Sequence, residues 1–197
     1  EMFLTGLRWF ESAGYEFIGL DHFAKPDEAL ALARRNGTLQ RNFQGMTTGG
    51  GLDLLGVGAS SISHLMDVGF LQNIKEPDEY VAHIESGRSP VERGKRLTFD
   101  DRVRQSVIQY LYGYGEIRPE LIEEQFGIVF SEYFGRELET LVELEGDGLV
   151  VREPNGVVQA TMPLGRVLLR NVAAVFDAYL NPDAYRRGEL ASFSMNA

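Results

Sequence analysis

The chain has 197 residues with 29 acidic and 19 basic side chains, which gives a formal net charge of −10 at pH 7. This acidic balance argues against a nucleic-acid partner, because phosphate neutralisation needs clustered Lys and Arg. The sequence contains no cysteine, which excludes a thiol nucleophile, a thiolate zinc site and a thiolate-held iron–sulfur cluster within these residues. No apolar run approaches the roughly 18–20 residues that a membrane span needs, so we also expect no membrane partner.

The N-terminal segment predicts a helix followed by a short strand. Apolar side chains recur at helical spacing over residues 3–13, and Gly14 is a natural helix stop. Aromatic and β-branched residues then predict a buried strand over residues 15–20. We expect this strand to find no partner within the chain, because no second helix–strand repeat follows, and an unpaired edge favours self-association. The next helix is predicted over residues 28–36, with Asp27 as its N-cap.

The middle of the chain is predicted to be rich in loops. Residues 39–51 are polar and contain many glycines, which is typical of a loop. Residues 52–63 are more apolar, but glycines interrupt them, so we expect a loop followed by a short strand or turn. A helix is predicted over residues 77–86. The composition changes at about residues 89–95, where we place a domain boundary.

The C-terminal half predicts a mostly helical arrangement. Helices are predicted over residues 99–112, with Thr98 as the cap, over 119–126, over 131–146 and from near Pro163 onwards. Asn155 and Gly156 lie between two apolar runs and therefore predict a hairpin turn. This order resembles a winged-helix arrangement, but glutamates crowd its second and third helices and would repel phosphate. A packing or interaction role is therefore favoured over DNA binding, and the tail, residues 181–197, is predicted to be poorly ordered.

Candidate ligand-binding residues lie between positions 21 and 63. Phe43 and Gln44 stand in a polar segment next to glycines, which let a backbone approach a ligand closely. A flat ring and an amide with both donors and an acceptor suit an adenine ring. The alternative is a flexible surface loop, which composition alone favours, because one glycine-rich stretch is a weak signal. The segment is not a Walker loop, since no Gly-Lys-Ser/Thr follows the glycines.

Other polar residues leave two interpretations open. Asp21 and His22 follow the predicted strand and either act on a ligand or hold the loop through a buried histidine, and we favour the second interpretation. His64 and His83 are interpreted as surface or packing residues, and no metal site is expected. Three arginines are also candidates: Arg34, Arg35 and Arg41. They can pair with carboxylates of an anionic substrate, but solvation on a helix surface is the favoured interpretation.

Three segments in the first third of the chain carry a family resemblance. They are residues 19–26 (GLDHFAKP), 41–48 (RNFQGMTT) and 54–63 (LLGVGASSIS). In this order they closely resemble the oxygen-independent coproporphyrinogen III oxidases, which are radical S-adenosylmethionine enzymes of heme biosynthesis. The resemblance continues through residues 72–73 and 97–98 to residues 163–172 (PLGRVLLRNV). Several motifs in register over nearly the whole chain are far more specific than any one of them.

The resemblance implies an α+β, mostly helical fold and a longer parent protein. Residues 1–88 would be the end of a radical SAM β/α barrel with cofactor-site loops, residues 89–180 a helical, winged-helix-like C-terminal domain, and residues 181–197 a tail. The chain would then be the C-terminal part of the enzyme, and its partner would be the N-terminal part of the barrel. The cysteine motif that holds a [4Fe–4S] cluster belongs to that absent part, and the resemblance implies a cytoplasmic protein.

The resemblance also implies the reaction of the parent. A 5′-deoxyadenosyl radical, formed from S-adenosylmethionine at the reduced cluster, takes hydrogen from a propionate of coproporphyrinogen III. Loss of carbon dioxide and one electron then leaves a vinyl group. In this family the equivalent segments lie near a bound S-adenosylmethionine, so Phe43, Gln44 and Ile62 are the expected cofactor contacts. We expect no catalytic residue, no metal ligand and no turnover in this chain alone.

Two other functions remain open at this stage. One is a part of a radical SAM heme chaperone, which would bind heme without oxidase turnover. Heme chaperones lack the segment equivalent to residues 21–26, which makes them the weaker choice. The other is a non-catalytic winged-helix module that binds a protein partner.

Overall fold

The structure is a computed structural model that describes residues 2–42 and 44–180. It combines helix and sheet, with 43% of residues helical and 21% in strands, and the described part contains no closed barrel. The predicted α+β class is confirmed in this coarse sense. Within the same residues, no helix is both long and apolar enough to cross a membrane.

The N-terminal elements are short and alternate between helix and strand. In chain order they are α1 (Met2–Ser12), β1 (Glu16–Gly19), β2 (His22–Ala24), α2 (Ala29–Arg35), β3 (Gln40–Asn42) and β4 (Gly45–Thr47). The helix predicted over residues 3–13 and the strand predicted over residues 15–20 are confirmed as α1 and β1. Helix α2 is also confirmed, but Asp27 does not cap it. The N-cap is Glu28, because a hydrogen bond from its N–H to the Lys25 carbonyl closes a turn that contains Asp27.

Strand β1 has a partner within the chain, so the expectation that it would be unpaired is wrong. Strand β2 runs antiparallel to β1, with Phe17 opposite Phe23. The chain reverses direction just before β2, where Leu20 adopts a left-handed φ of 53°. The rings of Phe10 and Phe23 stack with 4.6 Å between centroids, which packs α1 against this hairpin. A tight hairpin, and not a second helix–strand repeat, therefore supplies the pairing.

A second hairpin, β3–β4, occupies the polar segment for which the sequence predicts a loop. Arg41 stands opposite Met46 in its register. The turn depends on Gly45, which has a φ of +132° and lies so close to His22 that a Cβ would be 2.8 Å from Nε2. The hairpin escapes a pattern-based prediction because its strands have only three residues each and show no apolar alternation.

A three-stranded antiparallel sheet in the order β5-β6-β7 follows. Its strands are β5 (Ile62–Leu65), β6 (Gly69–Asn73) and β7 (Val91–Arg96), and α3 (Pro77–Glu85) connects the last two. The helix predicted over residues 77–86 is confirmed as α3. An isolated bridge between Leu54 and His64 ties the preceding loop to β5. Strand β7 is absent from the prediction, because all of its residues are exposed and its charged side chains give no alternation.

The remaining elements surround one long helix, α4. They are α4 (Phe99–Tyr114), β8 (Glu116–Ile117), α5 (Pro119–Phe126), α6 (Phe130–Tyr133), α7 (Gly135–Gly146), β9 (Val150–Arg152), β10 (Val158–Ala160), α8 (Leu164–Val167) and α9 (Leu169–Ala174). The hairpin predicted at Asn155 and Gly156 is confirmed as β9–β10. The helices predicted over residues 99–112 and 119–126 are confirmed as α4 and α5. The other two predicted helices are each divided, at Phe134 and at Leu168, where the backbone leaves helical geometry. The predicted disorder of residues 181–197 lies outside the described residues.

Helix α4 has a polar cap and an apolar stripe. The Thr98 hydroxyl accepts a hydrogen bond from the Asp101 N–H at 3.1 Å, and the Asp101 carboxylate accepts one from the Thr98 N–H at 2.8 Å. This reciprocal pair is a capping box and confirms the predicted cap. Val103, Val107 and Leu111 are fully buried in the main hydrophobic core. With its apolar stripe fixed in this way, α4 turns a polar face toward the β3–β4 hairpin.

Candidate functional site

A cleft of about 540 Å³ lies between the β3–β4 hairpin, the loop before β5 and the polar face of α4. Hairpin and loop residues that line it include Gln40, Arg41, Asn42, Gln44, Thr47, Asp53 and Leu54. Residues of β5, of the following turn and of the helices include His64, Asp67, Arg102, Gln105, Gln109, Tyr110 and Tyr114. Amides, hydroxyls and two arginines dominate this lining, so the cleft suits a polar or charged ligand.

One side chain of α4 fixes the hairpin against the helix. The Gln109 amide nitrogen donates to the Arg41 carbonyl at 2.6 Å, and its amide oxygen accepts from the Arg41 N–H at 2.9 Å. Both hydrogen-bonding groups of one β3 residue are therefore satisfied by one side chain. Tyr114 adds a hydrogen bond to the Leu39 carbonyl at 3.2 Å. These contacts position β3 and the adjacent turn at the rim of the cleft.

The structure places one of the three expected cofactor contacts on this cleft. Gln44 lies at the turn of the hairpin, and its N–H donates to the Asn42 side-chain oxygen at 2.8 Å. Its side chain is exposed, and its amide has no hydrogen-bond partner among the described residues. Ile62 is the first residue of β5, partly buried opposite Gln72, and does not line the cleft. Phe43 lies outside the described residues.

His22 connects two hairpins and does not line the cleft. Its Nε2 accepts a long hydrogen bond of 3.5 Å from the Met46 N–H. Its Nδ1 lies 3.0 Å from the Asp21 carboxylate, within ion-pair distance but without the angle of a hydrogen bond. The half-buried imidazole therefore bridges β2 and β4 above Gly45. This arrangement favours the interpretation that Asp21 and His22 hold the loop.

A second cavity of about 410 Å³ adjoins the first and is lined mainly by apolar groups. Five residues line both cavities: Arg41, Asn42, His64, Gln105 and Gln109. The second cavity adds the mainly apolar Phe70, Leu97, Ile108, Tyr112, Phe176, Ala178 and Tyr179, together with the charged Asp101, Arg104 and Asp177. The sequence does not reveal it, because its walls come from β6, α4 and the segment after α9, which are far apart along the chain. Together the two cavities offer a polar region beside an aromatic one.

Several polar atoms of residues that line the cavities are buried without a partner. The Nε atoms of Arg41 and Arg102 and the Nε2 atom of His64 have no hydrogen-bond partner within the described part of the chain. The Arg41 guanidinium lies 5.5 Å from the centre of the Tyr112 ring, which is a cation–π contact. Burial lowers the pKa of His64, although the Asp53 and Asp67 carboxylates act in the opposite direction. The lowered pKa favours the neutral form of this imidazole at pH 7.

The sequence identifies only part of this cluster. Arg41 is a candidate there, with solvation as the favoured interpretation, and His64 is interpreted as an ordinary packing residue. Arg102 is missed altogether. The sequence does contain one relevant signal. Arg102, Gln105 and Gln109 follow one another at helical spacing and therefore share one polar face of α4, beside the apolar stripe.

The chain lacks the residue type that usually holds an iron–sulfur cluster. It contains no cysteine, and thiolates are the usual ligands of such clusters. The described residues also contain no group of three or more His, Asp or Glu side chains that could hold a metal ion. Gln44, one of the expected S-adenosylmethionine contacts, presents to the cleft an amide that has no hydrogen-bond partner among the described residues, and the contact itself stays a prediction.

Comparison with known proteins shows that the chain is homologous to the C-terminal part of the oxygen-independent coproporphyrinogen III oxidases. It is 46% identical to that enzyme from Salmonella typhimurium over 172 residues, which are 87% of this chain and 37% of the relative. It is 42% identical to the Escherichia coli enzyme over 178 residues, which are 90% of this chain and 38% of the relative. The chain therefore spans less than two fifths of the length of these relatives. No family model matches it.

A solved structure gives the same result for the fold. It is the coproporphyrinogen III oxidase (HemN) from Escherichia coli, described as a radical SAM enzyme. The TM-score is 0.84 at 41% identity, and the match covers 90% of this chain and 40% of that chain. The resemblance carried by residues 19–63 is thus confirmed.

Proposed function

We propose that this chain is a C-terminal portion of an oxygen-independent coproporphyrinogen III oxidase. The parent would decarboxylate propionate side chains of coproporphyrinogen III oxidatively to vinyl groups in heme biosynthesis. The observation that carries the proposal is the structural match, which has a TM-score of 0.84 and covers 90% of this chain. The relatives' cluster and the rest of their barrel would be supplied by a part of the parent outside this chain, and the chain alone would be inactive. A cytoplasmic location belongs to the same proposal.

Gln44, Phe43 and Ile62 are proposed to contact S-adenosylmethionine. When bound at a reduced cluster, S-adenosylmethionine supplies the radical that removes a hydrogen atom from the substrate. The role proposed for this chain is to bind and orient S-adenosylmethionine. The Gln44 amide offers two donors and an acceptor at the rim of the cleft, and its backbone is fixed through Asn42. The clamp between Gln109 and Arg41 keeps that rim in place.

We further propose that residues 1–88 and 89–180 are two units, linked across the boundary by the pairing of β7 with β6, with a winged-helix-like arrangement in the second. The order of elements supports this: α4, β8, α5, the α6–α7 pair and the β9–β10 hairpin, with the sheet order β8-β10-β9. The helices after β8 carry many glutamates, among them Glu120, Glu123, Glu124, Glu132, Glu137, Glu139 and Glu143. Because such a surface repels phosphate, the unit would serve packing and not nucleic-acid binding.

The function is tested by replacing Gln44 with Ala in the full-length parent protein. We expect weaker S-adenosylmethionine binding, by about tenfold, because a hydrogen bond from a side-chain amide to a ligand contributes roughly 1 kcal/mol or more. Equilibrium dialysis measures binding, and the rate of vinyl formation from coproporphyrinogen III measures turnover.

Gln159→Ala is the matched control, since Gln159 is exposed on β10 and lines neither cavity. Unchanged binding and turnover in Gln44→Ala would remove this residue from the site. A full-length parent that binds heme and forms no vinyl product would instead indicate a heme chaperone.

A further inference from the structure

Two arginines that line the first cavity, Arg41 and Arg102, form no salt bridge within the described residues. Carboxylates pair with Arg35, Arg104, Arg118 and Arg152 at 2.7–2.8 Å. Among the described residues, no carboxylate lies within ion-pair distance of Arg41 or Arg102, and the Nε atom of each is buried without a hydrogen bond.

Unpaired guanidinium groups that line a cavity favour an anionic ligand. Removing a charged group from water is costly unless an opposite charge and hydrogen bonds replace the lost hydration. A guanidinium binds a carboxylate through two parallel hydrogen bonds, which makes arginine well suited to recognise such groups. Arg41 lines both cavities and Arg102 lines the first. A ligand in the cleft would therefore meet both side chains.

The carboxylates that line the cleft belong to other elements than the two arginines. Asp53 belongs to the loop before β5 and accepts a hydrogen bond from the Met66 N–H at 2.7 Å. Asp67 belongs to the turn between β5 and β6. The two arginines lie on β3 and α4 instead. Carboxylates also line the second cavity, where Asp101 and Asp177 stand beside Arg104.

Arg41 is held in position before any ligand arrives. Gln109 fixes both backbone groups of Arg41, and the Tyr112 ring lies beneath its guanidinium. Preorganised groups lose little conformational freedom on binding, which favours affinity. Aromatic and aliphatic side chains of the second cavity continue directly from this point: Phe70, Ile108, Tyr112 and Phe176. A fitting ligand is therefore a flat or bulky apolar body that carries carboxylates.

We propose that Arg41 and Arg102 bind carboxylate groups of a polycarboxylate tetrapyrrole whose ring body extends into the second cavity. The identity of the ligand rests on the proposed function, in which the carboxylates are those propionates of coproporphyrinogen III that are not being decarboxylated. The arginines are positioning residues, and His64, which lines both cavities, adds a hydrogen-bonding group.

The experiment titrates the 197-residue chain with coproporphyrin III, a stable oxidised porphyrin with four propionates, and follows porphyrin fluorescence. Arg41→Gln and Arg102→Gln are each expected to raise the Kd about tenfold, because charge-assisted hydrogen bonds are lost. The double variant is expected to bind more weakly still. Arg136→Gln is the matched control, because it removes the same charge from an exposed position on α7 outside both cavities.

The tetramethyl ester of coproporphyrin III is the second probe and has the same ring without carboxylates. The ester is expected to bind wild type weakly and to be insensitive to both substitutions. Arg41→Lys, which keeps the charge, is expected to recover part of the affinity for the acid. Circular dichroism melting curves show whether each variant is folded. The proposal is overturned if the double variant binds the acid as wild type does, if the ester binds as tightly as the acid, or if wild type binds neither.

This result is separable from that of the proposed function. If the full-length parent forms no vinyl product while porphyrin binding depends on the two arginines, the oxidase proposal fails and the carboxylate site stands. If the parent is active and binding does not depend on the arginines, only the carboxylate site fails.

Discussion

At Gly115, the C-cap of α4, the absence of a side chain makes room for an arginine that closes the helix. Arg166 donates a hydrogen bond to the Tyr114 carbonyl, and burial, followed by the nearby Arg34 cation, lowers the pKa of Arg166 to about 10. Cations near a helix C-terminus interact favourably with its unpaired carbonyls. A Cβ on Gly115 would overlap the guanidinium group of Arg166. The residue also has a φ of +70°, which non-glycine residues rarely adopt.

We predict that Gly115→Ala lowers the free energy of unfolding by about 2–4 kcal/mol, because backbone strain adds to displacement of a buried guanidinium. Gly127→Ala is the control, since Gly127 has a φ of +65° at the C-cap of α5 but no atom within 4 Å of the position that an added methyl group would take. The free energy of unfolding of the Gly127→Ala control should fall by only about 1–2 kcal/mol. Urea denaturation measures both. Equal losses would show that Arg166 can move aside without cost.

Residue type alone locates Gln44 but not the arginine pair. An amide beside glycines is visible in the sequence, and the structure puts it at the rim of the cleft. Arg102 has no such marker, because on α4 it has the periodicity of a solvated helix face. Its position in a cavity depends on the β3–β4 hairpin, which covers that face through Gln109. Tertiary contact therefore decides the environment of Arg102, and a single sequence does not contain it.

At the scale of elements, the start of α4 is tied to the segment after α9. The Tyr179 hydroxyl donates to the Asp101 carboxylate at 2.5 Å, and the Lys95 ammonium lies 4.9 Å from the centre of the Tyr179 ring. Burial alone would raise the pKa of Asp101, but hydrogen bonds from Tyr179 and Thr98 and the Lys95 charge lower it overall. The same carboxylate belongs to the capping box, so one residue serves both the helix and the tertiary contact.

We predict that Tyr179→Phe lowers the free energy of unfolding at pH 7 by about 1 kcal/mol, because one hydrogen bond to a carboxylate is lost. A depressed pKa stabilises the fold above the unfolded value, near 3.8, and this contribution disappears as the pH falls through the folded pKa. The difference between variant and wild type should therefore shrink below about pH 4. Denaturation curves from pH 7 to pH 2.5 measure it. Tyr15→Phe is the control, because the Tyr15 hydroxyl makes no hydrogen bond within residues 2–42 and 44–180. This variant should show no such pH dependence.

Elements with local signals are predictable, and elements made by pairing are not. Thr98 and Asp101 specify the start of α4 through contacts three residues apart, and Asn155-Gly156 specifies a hairpin through its turn. Strand β7 has neither a turn signal nor an apolar face, and it forms because β6 offers an edge. The division of the helix at Phe134 is likewise a tertiary effect, since that ring is fully buried against Phe176.

At the scale of the whole molecule, α4 joins the site to the core. Its apolar stripe anchors the α5–α9 region, whereas its polar face carries the hairpin with Arg41 and Gln44. The geometry of the cleft therefore depends on the stability of the core, and variants such as Gly115→Ala should perturb ligand binding indirectly. A binding defect of that kind should accompany a lower melting temperature, whereas the loss of a ligand contact should not.

The N-terminal hairpin bears on the expectation of self-association. Strand β2 covers one edge of β1, yet this sheet has only two strands, so each strand keeps one edge without a strand partner in the described part. On α1, the side chains of Met2 and Trp9 are 89% and 69% exposed. Because the relatives are more than twice as long as this chain, such surfaces are candidates for contact with the rest of the parent. In a solution of this chain alone, these surfaces of two copies would contact each other.

We predict that the isolated chain associates with itself as its concentration rises, because burying Trp9 and an open strand edge removes apolar surface and unpaired backbone groups from water. Trp9 is the single tryptophan, so its fluorescence should shift to shorter wavelength as light scattering reports a larger mass. Trp9→Lys should reduce association, whereas Val142→Lys, at an exposed position on α7, should not. A constant monomer mass over a hundredfold range of concentration would contradict the prediction, and association that is unchanged in Trp9→Lys would place the interface elsewhere.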